Sequence, residues 1–349
     1  MPMLVSPLAF AAPPAIVLEG PDELSKLMTP YLPEEAPAPR RLQAMLEEML
    51  ATEGYFSPSF AVSEVEGVRH VRFDPGPRAR IADAVIDIDG PIDAERKRAL
   101  IAAWPLPAGQ PFRQEDWSEA KQRILSDLLA VTHADARLTG SAAEIDAKTR
   151  RAHLTVRYDA GPPYRFGALR VTGLHRYPAS LVARYNRVVK PGEPYREETL
   201  AMLQGALVAT PHFAAARVSL DRDGAIPGDD GTLTAPVAVE VREEAAHRFS
   251  FGAGASSNTG ARVEAGYHTP NLFNQAWNFN GGLRVEQKQR SAYADVDLPP
   301  DEKNRRHAFG LMVETTDIQG LHTNRHAFGA RTTQPRGSVE QRLSLNWER

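Results

Sequence analysis

The 349-residue chain contains no cysteine. That removes disulfides, thiol nucleophiles, thiolate zinc sites and redox pairs together, and it leaves the compartment open, because an exported chain can also do without cysteine. No apolar run approaches the roughly 18 residues that a membrane-crossing helix needs, so any crossing of a bilayer would have to use strands, whose alternating signal is weaker. Charge of one sign is missing too. With 41 basic against 44 acidic residues the net charge is -3, and no global basic field points to nucleic acid. No nucleophile–base pair, metal triad or cofactor fingerprint stands at usable spacing, so the expectation is a protein that is not an enzyme and holds no cofactor.

What is there is 42% hydrophobic residues over a length that allows two or three domains, each with its own core. Residues 1–13 are small and apolar and include Ala9-Phe10-Ala11, the small-x-small form of a signal-peptidase site, with no positive stretch ahead of it. They read either as the remnant of an export signal whose start lies upstream or as a disordered Ala/Pro-rich segment.

Self-comparison is more informative. A strand-like run ending in glycine recurs as Ile16-Val-Leu-Glu-Gly20, Val85-Ile-Asp-Ile-Asp-Gly90 and Leu169-Arg-Val-Thr-Gly173, each ahead of a helical segment such as Asp93–Trp104. A second marker recurs as Gly109-Gln-Pro-Phe112 and Gly192-Glu-Pro-Tyr195, 83 residues apart (192 minus 109), before helices expected at Glu115–Leu129 and Glu197–Val208. The Gly-x-Pro element ends one helix and pre-sets φ for the next. A third marker aligns Val71-Arg-Phe-Asp-Pro-Gly76 through Arg80 with Val156-Arg-Tyr-Asp-Ala-Gly161 through Arg165, at an offset of 85 (161 minus 76). The same slot returns at Val239–Arg242 through Arg248, so Arg80, Arg165 and Arg248 are expected to hold equivalent turns by hydrogen bonds. Each unit reads β-α-α-β-β, over about 14–78, 79–163 and 164–245.

From residue 246 to 349 helical periodicity gives way to alternation. Phe249, Phe251, Ala253 and Ala255 alternate with Arg248, Ser250, Gly252 and Gly254, and similar runs follow near 261–268, 279–286, 291–298, 308–316, 325–332 and 338–347. These are about seven strands of roughly ten residues, long enough to cross a bilayer with tilt. Alternation alone fits both a wet-lumen barrel and a soluble two-layer sandwich. Because bilayer-spanning sheets must close, and single-chain barrels have an even strand number from about eight upward, the expectation for a barrel is that its strands continue beyond Arg349. Gly252 to Gly260 superficially suggests a phosphate loop, but it lacks the Gly-Lys-Ser/Thr ending and a following helix. His133 and His153 lack ligand-spaced partners, and Asp83, Asp87, Asp89 and Asp93 lack calcium-loop spacing, so solvated or structural roles are expected.

Three β-α-α-β-β units ahead of amphipathic strands resemble the outer-membrane protein-assembly superfamily, in which polypeptide-transport-associated (POTRA) domains precede a β-barrel. The chain is most similar to its TamA group, on the count of three units, the junction Val241-Arg242-Glu243-Glu244 to His247-Arg248-Phe249-Ser-Phe-Gly252, the stretch Ser257-Asn-Thr-Gly260-Ala-Arg262 and the hairpin motif Asn271-Leu-Phe273. The fold class this implies is α+β POTRA repeats followed by the antiparallel strands of an incomplete transmembrane β-barrel. The group's arginine motif of a late extracellular loop has no counterpart here. The resemblance implies an outer-membrane location with periplasmic POTRA domains, unfolded outer-membrane proteins including autotransporters as clients, contact with outer-membrane lipid, and a TamB-like partner anchored in the inner membrane that meets the first unit. It implies a seam strand that templates the client, carried onto Arg248, Phe249, Ser250, Phe251, Gly252, Ala253, Gly254 and Ala255, with the glycines weakening its pairing. Two alternatives are a two-partner secretion transporter and a soluble periplasmic scaffold ending in a β-sandwich.

Overall fold

The computed structural model describes residues 16–256, 260–318, 320–337 and 339–349. The expected export-signal remnant at 1–13, and Ser257, Asn258 and Thr259 of the expected barrel-junction motif, lie outside the described residues. By packing, the chain forms two units. One runs to Leu129 and includes His133–Pro162; the other comprises Ala130–Thr132 and Pro163–Arg349.

The first unit holds two modules of one topology. In the first, β1 (Ile16–Glu19), α1 (Asp22–Met28), α2 (Pro39–Thr52), β2 (Ser59–Val65) and β3 (Val68–Asp74) build a sheet of order β1-β3-β2, parallel between β1 and β3 and antiparallel between β3 and β2. The second repeats it with β4 (Arg80–Asp89), α3 (Ala94–Ala102), α4 (Gln114–Ala130), β5 (Arg137–Asp146) and β6 (Arg151–Asp159), in the order β4-β6-β5. The helices form where the sequence gives them a cap and a stripe. Pro39 sits at the first turn of α2, where its missing N–H has no helical partner to lose. Asp93 caps α3 by accepting from Glu95 N and Arg96 N at 3.0 Å. Leu42, Leu46 and Leu50, four residues apart, are fully buried against Val71 and Phe73 of the first sheet. Trp117, Ala120, Ile124 and Leu128 do the same against Leu154, Val156 and Tyr158 of the second.

In the second unit, β7 (Tyr164–Thr172), α5 (Ala179–Tyr185), α6 (Glu197–Val208), β8 (Phe213–Leu220), the short β9 (Ile226–Pro227) and β10 (Leu233–Glu243) make a third module, ordered β7-β10-β8 with β9 on β10. Leu200, Leu203 and Leu207 of α6 and Val237, Val239 and Phe166 of the sheet are among its buried core residues. Gly173, just past β7, has φ +83°, and a Cβ there would stand 2.0 Å from the Val241 carbonyl oxygen, so both the conformation and the space demand glycine.

The chain then enters a seven-stranded meander: β11 (Arg248–Ser256), β12 (Gly260–Leu272), β13 (Trp277–Glu286), β14 (Gln289–Asp297), β15 (Arg306–Ile318), β16 (Leu321–Arg336) and β17 (Val339–Glu348), all antiparallel and paired in chain order. The sheet is not closed, and β11 and β17 are its edges. Register sorts its residues by face. Phe249 pairs with Tyr267, Ala265 with Leu283, Val296 with Phe309, Leu311 with Phe328 and Ala330 with Leu345, one apolar face across all seven strands. The other face carries Arg262, Glu264 and Arg284, with Glu264 in ion pairs at 3.1 and 2.9 Å, and the Arg325–Glu348 pair at 2.7 Å. The apolar face is open: Phe251 is 83% exposed and Leu343 74%. A two-layer sandwich would bury such a face beneath a second sheet, and among the described residues no second sheet covers it.

Candidate functional site

Sheet edges are the chemically useful feature of this fold, because unpaired N–H and C=O groups on an edge can accept another strand. In all three modules the last strand is central, leaving the first strand and the middle one as edges. The first edge is partly occupied. Gly109 N donates to Ile81 O (2.8 Å), Ile81 N to Gln110 O (2.9 Å) and Phe112 N to Ala79 O (2.9 Å), so the Gly-x-Pro segment straps the start of β4. The third module repeats this bond for bond: Gly192 N to Phe166 O (2.7 Å), Phe166 N to Glu193 O (2.9 Å) and Tyr195 N to Tyr164 O (2.9 Å) strap β7. Arg80 Nη1 and Arg165 Nη1 tie the straps down by donating to Gly109 O (2.8 Å) and Gly192 O (3.1 Å), the turn-holding role expected of them. Arg248 does something else: it opens β11 and pairs with Glu244 at 2.9 Å. Among the described residues the opposite edges, β2, β5 and β8, carry no such strap, and of their backbone groups only Val218 N of β8 is capped from outside the sheet, donating to Gln204 Oε1 at 3.1 Å.

The eight expected seam residues all lie on β11, an edge strand paired on one side only, with β12. Phe249 and Phe251 stand on the apolar face, 64% and 83% exposed, and the Phe249 ring packs 5.1 Å from that of Tyr267. Arg248, Ser250, Gly252 and Gly254 take the polar face. Space does not require the two glycines: a Cβ at 252 would meet nothing nearer than 3.7 Å, and at 254 nothing nearer than 3.5 Å. Their effect on β11 is therefore the loss of side-chain packing and gain of backbone freedom that glycine brings to a strand.

Two contacts that sequence reasoning missed lie where the third module leads into this sheet. At the end of β10 a register shift between Arg242 and Glu243 turns Glu243 inward. Its Oε1 accepts from the backbone N–H of His175 and Arg176 (both 2.8 Å) and Tyr177 (3.2 Å), and its Oε2 from Arg176 Nε (2.8 Å). The Arg176 Nη2 reaches on to the carbonyl oxygen of Glu244. Burial pushes the Glu243 carboxyl up, but the three amides and the guanidinium outweigh it and bring it down to about 2. The second contact is His212, 1% exposed. Its Nδ1 lies 3.1 Å from Pro270 O on β12, and its Nε2 3.2 Å from the Tyr185 hydroxyl. Burial pulls its pKa down to about 4 against the opposing pull of the Pro270 carbonyl, so the ring is neutral, donating from Nδ1 and accepting at Nε2. A lone glutamate in a Glu-Glu pair and a lone histidine give no local signal of either role.

Among the described residues no cluster of three or more metal-binding side chains occurs. His133 Nδ1 lies 3.2 Å from Gly161 O, and His153 pairs with Asp83 at 2.8 Å.

No family model and no curated protein matches the chain. Solved structures do. A BamA from Haemophilus ducreyi lacking POTRA domains 1–3 matches at TM-score 0.61 and 16% identity, over 77% of this chain and 50% of that one. The chain has the POTRA-and-barrel fold. It spans half the length of that BamA. Also similar are CdiB from Acinetobacter baumannii (TM-score 0.41, 11% identity, 88% of this chain and 62% of that one) and Haemophilus influenzae BamA POTRA3–5 (TM-score 0.39, 17% identity, 65% and 94%). In these terms the β-α-α-β-β modules are POTRA-like, and the seven-stranded meander corresponds to barrel strands.

Proposed function

We propose that this chain is the POTRA and leading-strand part of a TamA-like outer-membrane translocation and assembly component. Its POTRA modules lie in the periplasm and receive unfolded outer-membrane proteins, autotransporters among them, while the first module meets a TamB-like inner-membrane partner. The protein works by templating strands and carries out no covalent chemistry. β11 offers the edge facing away from β12 to a client strand, and main-chain hydrogen bonds do the recognition irrespective of client side chains. The observation that carries this reading is the combination in β11 of two glycines that space does not demand and position at the head of a sheet with one apolar and one polar face. Three modules ahead of that strand favour the TamA group within the superfamily.

The absence of native cysteine makes the test clean. Single cysteines at Ser250, Gly252 and Gly254, in the full-length protein in outer membranes, are offered a client with one cysteine in its terminal strand. The reading expects disulfide adducts whose client position shifts in step with the β11 position, as paired strands require. Adducts that form at no β11 position, or that ignore register, contradict it.

A further inference from the structure

Within the second unit, an open cavity of about 790 Å³ lies between the C-terminal ends of α5 and α6 and the adjacent ends of β14–β17. Its charge is lopsided. Arg184, Arg187, Arg306, Arg331 and Arg342 line it against two carboxylates, Asp297 and Glu340, an excess of three positive charges (5 minus 2). Glu340 is shared by Arg306 (3.3 Å) and Arg342 (3.2 Å), and Asp297 reaches Arg331 only at 4.0 Å. Arg187 gives one N–H to Asp301 O at 3.0 Å, and neither Arg184 nor Arg187 has a carboxylate partner among the described residues. Arg306, Arg331 and Arg342 are each at least half exposed, so their guanidinium forks face the cavity with donors to spare. Other parts of the wall are apolar, from Ala206, Ala209, Pro299 and Pro300.

We propose that this cavity binds an extended polypeptide segment bearing carboxylates, held by the Arg184, Arg187 and Arg342 guanidiniums, with its apolar side chains against the Ala206 and Pro299–Pro300 wall. Three points select this occupant. Guanidinium forks match carboxylates bidentately. Carboxylates at alternate positions of an extended chain project to one side, about 6.6 Å apart, while the residues between them turn to the other, matching a cavity with both basic and apolar walls. And Arg306, Arg331 and Arg342 stand on the sheet's polar face, opposite the apolar face that lipid would cover, which favours a polypeptide over a lipid headgroup. The inference deepens the client-handling reading and takes its occupant from it, but its test reads binding directly and needs no assembly reaction.

The experiment measures fluorescence anisotropy of a labelled peptide of alternating Asp and Val, about ten residues long, with the full chain in neutral detergent at low salt; an Asn-for-Asp peptide is the control. The Asp peptide should bind, the Asn peptide should not, and added salt should weaken binding. The double variant Arg184→Gln with Arg342→Gln should weaken it about tenfold, as expected for losing two partly exposed ion pairs, while the Arg→Lys pair, which keeps the charge but not the fork, should restore only part of the affinity. Equal binding of the two peptides, or unchanged affinity in the Gln variant, overturns the proposal. Arginine-dependent displacement of the peptide by phosphatidylglycerol vesicles also overturns it, by making the cavity a headgroup site. Intact peptide binding alongside failed register-dependent crosslinking at β11 would count against the templating reading alone.

Discussion

The α/β modules and the seven-stranded sheet use the same kinds of apolar residue in opposite ways. In the first module, Leu42, Leu46 and Leu50 are wholly buried by the module's own sheet. In the meander, Leu343, Leu345 and Phe251 are mostly exposed along a face that nothing else in the described chain covers. An exposed apolar face of this extent marks a surface that meets another phase or another protein. The modules thus bury their own apolar residues, whereas the sheet leaves one apolar face for another phase or another protein to cover.

The sharpest way to break that contrast is to truncate one leucine in each region. Leu46→Ala should destabilise the first module by about 2–5 kcal/mol, because the packed site cannot refill the cavity. Leu345→Ala in the detergent-solubilised chain should shift stability by less than about 0.5 kcal/mol, since detergent refills the space. Chemical denaturation followed by circular dichroism and tryptophan fluorescence checks both, and a large loss at Leu345 would mean that its face is packed.

A smaller effect tests how the third module fastens the end of its last strand. The Glu243 carboxyl is depressed to about 2 in the fold, below its ordinary value of 4.5. A depressed carboxyl contributes stability that is fully present above the unfolded value and is lost as pH falls from about 4.5 through 2, here roughly 2–3 kcal/mol. Hydrogen exchange at the amides of His175, Arg176 and Tyr177 should be strongly protected at pH 7. Glu243→Gln should reduce that protection markedly at pH 7 and much less at pH 3. Equal loss at both pH values would remove the charge from the explanation.

Local patterns carried much of the fold. The helix expected at Glu197–Val208 forms over those residues, and that at Glu115–Leu129 runs over Gln114–Ala130, because leucine spacing and a preceding Gly-x-Pro both act within a turn or two of the chain. Alternation placed the meander strands, though β16 runs from Leu321 to Arg336, well beyond the expected 325–332, since pairing with β15 extends through polar positions where the pattern fades. Less legible was whatever depends on distant partners. Gly109-Gln-Pro looked like a helix boundary and is also an edge strap, because its bonds go to Ala79 and Ile81 about thirty residues earlier. Arg248 matched its repeat slot in sequence yet lacks the strap, since no Gly-x-Pro follows it. Glu243 and His212 act through residues 27 or more positions away, which no local spacing encodes.

The measurement that bears most directly on the central claim is residue-by-residue polarity along one interior strand in a bilayer. Single cysteines at Phe309, Leu311, Val313, Met312 and Glu314 of β15, labelled with an environment-sensitive fluorophore in reconstituted membranes, should show blue-shifted emission, quenched by brominated lipid, at 309, 311 and 313 and aqueous emission at 312 and 314. Emission without that alternation, or lipid quenching at 312 and 314 in place of 309, 311 and 313, would contradict a lipid-facing sheet.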